Sequence, residues 1–254
     1  YRTDFRANAL NILSLTLLGL GYPDQARTSS REALAYAREL AHLLSLANVL
    51  NVACQFDSLF RDMEALLAHA EALMTLAAEL GSSEYRAGAD AYRECARAKL
   101  GAEDALVPCR RSIAAYRATG QERTLPLRLS LLAEAYREAG RAEEGQSLLE
   151  EPLGRIGRTR EGWIEAELHR VKGELLLALP VPDHAGAEAS YRQAIAVARE
   201  QSAKMWELRA AVGLARLWHE QDRRAEAREL IAPIYGWFIE GFDTSDLKVS
   251  IGVE

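Results

Sequence analysis

Six times along the chain, at a period of about 40 residues, a small residue stands seven positions before a second small or apolar residue within an amphipathic helical pattern. The first members of these pairs are Ala26, Ala65, Ala105, Gly145, Ala187 and Ala227, each opening the second arm of a helix–turn–helix. Self-similarity at this period specifies stacked helical hairpins, because a hairpin of this size cannot bury its apolar face alone. The expected fold is therefore all-α, a right-handed α-solenoid of about six hairpins. Small residues belong at the six positions because the two arms approach most closely near their turn, and a long side chain there would hold them apart.

Periodicity and punctuation place the hairpins at about 4–40, 42–80, 83–119, 126–156, 161–201 and 204–240. Together they form one helical repeat domain over 1–242, followed by a tail over 243–254. Pro23 suits the first position of a helix, where its missing N–H is not needed. A threonine near Pro126 suits a helix cap. Pro108, Pro152 and Pro233 fall within second arms and predict kinks or breaks. The run Gly154-Arg155-Ile156-Gly157-Arg158-Thr159-Arg160 reads as a joint between hairpins. No stretch alternates with period two, so no strand is expected.

Charge limits the partners. A formal net charge of −6, with acids and bases interleaved, disfavours direct nucleic-acid binding, which needs cations to replace counterions. The most apolar run, Ala9 to Leu20, is too short to cross a bilayer, and no secretory signal is present. Cys54, Cys95 and Cys109 are too few and too widely spaced for a disulfide framework and make no metal-ligand spacing. The simplest reading is a reducing cytoplasm, with Cys54 and Cys95 as small packing residues. The chain opens at Tyr1 and is helical in pattern almost at once, as expected for a piece of a longer protein.

Nothing in the residues points to catalysis, a cofactor or a metal site. The glycine-containing run at 154–159 lacks the lysine of a phosphate-cradling loop and follows no strand. His219-Glu220 is not followed by the second histidine of a zinc-protease helix. Trp206, Trp218, Tyr235, Trp237 and Phe238 have helical spacing and are expected to pack the last hairpin. If the first helices of stacked hairpins line a concave face, its polar positions are Asn51, Asp90, Glu94, Arg97, Glu134, Arg137, Glu167, Arg170, Glu174, Arg209, Arg216 and His219. Nearly all are charged and both signs occur, which suits a mixed-charge peptide or a neighbouring domain. The alternative is a solvated face laced with helical charge pairs, each contributing roughly a few tenths of a kcal/mol.

The spacing of the small residues, with the run 135–144 (AYREAGRAEE) and Ala189-Ser190-Tyr191-Arg192-Gln193-Ala194-Ile195, resembles the tetratricopeptide repeat, in a degenerate and slightly longer form. The glycine and tyrosine of that family's first helix survive in part, as at Gly173 and Tyr136. Residues 185–248, including Glu207-Leu208-Arg209-Ala210-Ala211 and the run 235–248 (YGWFIEGFDTSDLK), resemble the closing region of large bacterial signalling ATPases of the adenylate or guanylate cyclase-like and transcriptional-regulator kinds. The resemblance implies a non-catalytic sensor arm that binds a protein, a peptide, a neighbouring domain or a small effector and so regulates its parent. It carries over no cyclase or ATPase residues. The alternative is an oligomerisation scaffold without a ligand, for which the apolar first hairpin (Leu10, Ile12, Leu13, Leu15, Leu17, Leu18) would supply a sticky surface.

Overall fold

The computed structural model describes residues 3–159 and 162–251, and among these every regular element is helical, with no strand. In chain order the helices are α1 (Phe5–Leu20), α2 (Pro23–Glu39), α3 (Leu43–Phe60), α4 (Met63–Glu79), α5 (Ser83–Lys99), α6 (Leu106–Ala118, preceded by a 3-10 turn Glu103–Ala105), α7 (Leu125–Glu138), α8 (Ala142–Thr159), α9 (Glu165–Leu177), α10 (His184–Glu200), α11 (Lys204–Glu220), α12 (Arg224–Tyr235) and α13 (Ser245–Ile251). The chain divides into two compact units: Tyr1–Thr16 with Gln25–Ala135, and Leu17–Asp24 with Tyr136–Glu254.

A second, finer period governs where helices stop. Residues with left-handed backbone recur at Gly21, Ala41, Arg61, Gly81, Gly101, Gly120 and Gly140, and again at Ser202, Asp222 and Gly241, close to one every 20 residues. At most of these the next amide reaches back five residues, as Ser82 N–H does to Ala77 (3.0 Å), Ala102 to Arg97 (3.0 Å) and Ala203 to Ala198 (2.8 Å). That bond satisfies a carbonyl orphaned by the helix end and turns the chain sharply. The following residue then caps the next helix: Asp62 accepts from Ala65 N–H and Ser82 from Tyr85 N–H.

Four of the left-handed positions lack glycine, and a side chain there costs roughly 1–2 kcal/mol against the right-handed form. Ala41→Gly and Ser202→Gly should each stabilise the chain by about 0.5–1 kcal/mol, after the added freedom of glycine in the unfolded chain is deducted. Urea denaturation measures this. A loss of stability at either position would mean that the turn is not left-handed in solution.

In the first unit α3 packs on α4, α4 on α5 and α5 on α6, while α3 also meets α5. In the second, α8 meets α9, α9 meets α10, α10 meets α11 and α11 meets α12, while α9 also meets α11. Contact thus runs between sequence neighbours and between helices one hairpin apart. The small-residue positions lie in the first turns of the second arms, with Ala26, Ala105 and Ala187 fully buried and Ala227 1 % exposed. The second hairpin differs by one residue: Leu66, not Ala65, is the fully buried fourth position of α4, so a larger side chain is accommodated there.

Several local expectations are corrected. Pro108 is the third residue of α6, where no helical hydrogen bond is lost, and the break falls upstream in the 3-10 turn. Pro152 lies inside α8, which runs on through Thr159. Residues 154–159 of the expected joint are therefore the end of that helix, and Arg160 lies outside the described residues. The supposed tail forms α13, whose Leu247 is fully buried and which packs on α11 and α12.

The longest apolar segment is α3 and not residues 9–20. By length and composition α3 could cross a membrane, at a mean hydropathy of 1.3, but 61 % of it is buried within the chain, where it is a core helix. Cys95 and Cys109 form a disulfide between α5 and α6 (Cα–Cα 5.2 Å), against the expectation of unpaired cysteines. It closes a 14-residue separation. Cys54 is free and buried, and burial, helped by Asp57, pushes its thiol well above the ordinary range.

Candidate functional site

Most of the charged residues expected on the first helices are tied to one another. In the first unit Arg93 bonds Asp90 (2.7 Å) and Glu94 (2.6 Å), and Arg97 bonds Glu94 (2.8 Å) and Asp104 (3.2 Å). Glu134 is held by Lys99 at 3.2 Å and approached by Arg61 at 4.0 Å. In the second unit a chain of alternating sign runs from Arg137 to Glu174 (3.5 Å), Arg170 (2.6 Å), Glu167 (3.2 Å), Arg209 (3.3 Å) and Asp246 (2.6 Å). Glu94, Glu134, Glu167, Arg170 and Arg209 are buried, so their charges are spent on internal pairs. Arg216 and His219 are exposed, while Asn51, Asp90, Arg97, Arg137 and Glu174 are half-buried.

Elsewhere in the second unit, burial and then the Lys172 charge lower His169 to about 4, so its ring is neutral at physiological pH. The terminal aromatics do pack, with Trp206, Trp218 and Phe238 buried. Trp218 also serves as a platform for the guanidinium groups of Arg192 (5.2 Å) and Arg223 (4.5 Å).

The first unit holds a recess that the charged rows did not predict. Its walls are Asn48 and Asn51 of α3, Glu84 and Tyr85 at the start of α5, Tyr116 near the end of α6, and Gln121, Arg123 and Thr124 from the connection to α7. Every one of these side chains is polar. Asn48 Nδ2 donates to Asn8 Oδ1 (2.5 Å), and the Tyr85 phenol is kept protonated above its ordinary range by burial and by Glu84. Of the residues expected on the concave face, Asn51 alone lines it.

Directly behind this recess lies Arg128, fully buried, its guanidinium sandwiched between the rings of Tyr92 (3.9 Å) and Tyr116 (3.8 Å). Gly88 on α5 makes room, since a Cβ there would stand 3.3 Å from the Tyr116 ring and 3.5 Å from the guanidinium. Arg128 Nη1 donates to the backbone oxygen of Thr124 (3.3 Å) and to its hydroxyl, and that hydroxyl shares a 2.9 Å hydrogen bond with the Tyr116 phenol. Arg128 Nε and Nη2 have no hydrogen-bond partner.

No carboxylate pairs with Arg128 among the described residues. A buried charge without a counterion costs several kcal/mol, and two desolvated aromatic faces offset this by about 2 kcal/mol each. Thr124, expected as a helix cap, spends its hydroxyl on this arrangement. The signal in sequence was Arg128 itself, three and four residues before Leu131 and Leu132 on a buried stripe.

No group of three or more His, Cys, Asp or Glu side chains is placed to hold a metal among the described residues. Compared with family models and with curated proteins, the chain matches none.

Proposed function

We propose that the chain is an effector-binding sensor module of tetratricopeptide-like α-solenoid form, which regulates a multidomain bacterial signalling ATPase and works in the cytoplasm. The observation that carries the binding role is the recess of the first unit: an all-polar lining backed by a buried cation that no internal carboxylate neutralises. Such a lining is kept from collapse only if something polar occupies it. The link to signalling rests on the resemblance of residues 185–248. Binding regulates the parent only if the effector prefers one of its states.

A second reading, an oligomerisation scaffold, is favoured by the outward face of α1, where Phe5 is 87 % and Ile12 67 % exposed. Thermal-shift screening of small polar metabolites, paired with light scattering of the chain and of Phe5→Ser/Ile12→Ser, separates the two. The sensor reading expects a ligand that raises the midpoint and a mass unchanged by the substitutions. No stabilising ligand, together with an oligomer that the substitutions dissociate, would replace it with the scaffold.

A further inference from the structure

We propose that the recess of the first unit recognises a small oxyanion carrying a hydrogen-bond donor beside the charged group, the chemistry shared by α-hydroxy and α-amino carboxylates. This rests on the effector reading and specifies its ligand. The argument begins with the hydroxyl pair. Arg128 Nη1 is always a donor and occupies an acceptor site on the Thr124 hydroxyl. Thr124 and Tyr116 then share one hydrogen bond in which either oxygen can be the donor. Whichever direction it takes, two hydroxyl hydrogens serve one internal acceptor, and the second hydrogen is left over.

Both oxygens belong to the wall of the recess, so the spare O–H is presented there. The buried guanidinium polarises it, because a donor chain that begins on a cation strengthens each successive bond. The Arg123 guanidinium stands on the same wall, and the Asn51 and Gln121 side chains add amide donors. Two cations against the single carboxylate of Glu84 leave the site biased toward an anion. Glu84 in turn is an acceptor without a hydrogen of its own when ionised, so it selects a ligand whose hydroxyl or ammonium lies next to the anion.

The two ligand sources differ at Glu84. An ammonium gains the full charge attraction there, whereas a hydroxyl gains one hydrogen bond. L-lactate, L-serine, lactamide and inorganic phosphate are the probes, followed by calorimetry and by the NMR signals of the Tyr85 and Tyr116 rings. We expect lactate or serine to bind at least tenfold more tightly than uncharged lactamide or inorganic phosphate. Tighter serine binding that Glu84→Gln abolishes identifies the amino acid class, and indifference to Glu84→Gln with lactate preferred identifies the hydroxy acid class. Arg123→Gln, at an exposed position, should weaken the anion at least fivefold. Thr124→Val/Tyr116→Phe should abolish binding, and if that variant does not fold, Arg123→Gln alone carries the test.

Lactamide bound as tightly as lactate would overturn the anion assignment and leave a recess for neutral polar effectors. Binding unchanged in Arg123→Gln would place the anion elsewhere and overturn it as well. Silence of all four probes also overturns it, while the effector reading is then decided by the metabolite screen.

Discussion

Arg209→Ala should lower the stability of the second unit by about 3–5 kcal/mol, the cost of removing one partner from a buried ion pair. The side chain leaves α11 with 3 % of its surface exposed, stacks on Trp206 at 4.8 Å, and donates to Glu167 (3.3 Å) and to Asp246 (2.6 Å). Alanine at this position leaves two buried carboxylates with one fewer cation, although Glu167 keeps Arg170 at 3.2 Å. Asp246 is on α13, so the same change loosens that helix from α11. For a chain of this length the melting midpoint should fall by roughly 6–15 °C.

Adding Asp246→Asn to Arg209→Ala should recover part of the loss, because the second change removes a charge that the first has stranded. Denaturation of the two single variants and the double variant reads the coupling. If Arg209→Ala costs under about 1 kcal/mol, Asp246 is solvated and α13 is not held by this pair.

That pair shows what sequence could and could not deliver. Helices and their hairpin turns were legible, since the 3.6-residue stripes of apolar residues and the Pro and Gly punctuation are local. So were the charges on the first helices, which really do cluster. Their partners were not legible. Asp246 was assigned to a tail because seven residues are too few to show a helical stripe, and its helix exists through Leu247 packing on distant elements. The left-handed position every 20 residues escaped notice because four of its members are not glycine. The recess was hidden for a related reason: its walls come from three helices and a connection, joined by no motif and no common spacing. Cys95 and Cys109 likewise looked unrelated until α5 and α6 were folded together.

Gly213→Ala is expected to destabilise the second unit by about 3 kcal/mol, the upper end of the overpacking range, although the same exchange on an exposed helix would stabilise by roughly 1 kcal/mol. Tyr191 of α10 is 2 % exposed, and its ring lies between Gly173 of α9 and Gly213 of α11, one repeat period apart. A methyl group at 213 would come within 2.6 Å of the ring, and one at 173 within 2.8 Å. A ring pressed from one side could slide away; this one is bounded on both, so α9 or α11 must shift instead. Burial, together with Glu174, also holds the phenol protonated far above its usual range, so no ionisation relieves the contact. Gly173→Ala should act alike. The control is Tyr191→Leu, which itself costs stability but frees the space: Gly213→Ala added to it should be close to neutral, giving a coupling of about 2–3 kcal/mol in a double-mutant cycle. Strict additivity would mean that the ring does not fill the gap between α9 and α11, and that the stacking of the last hairpins rests on other contacts.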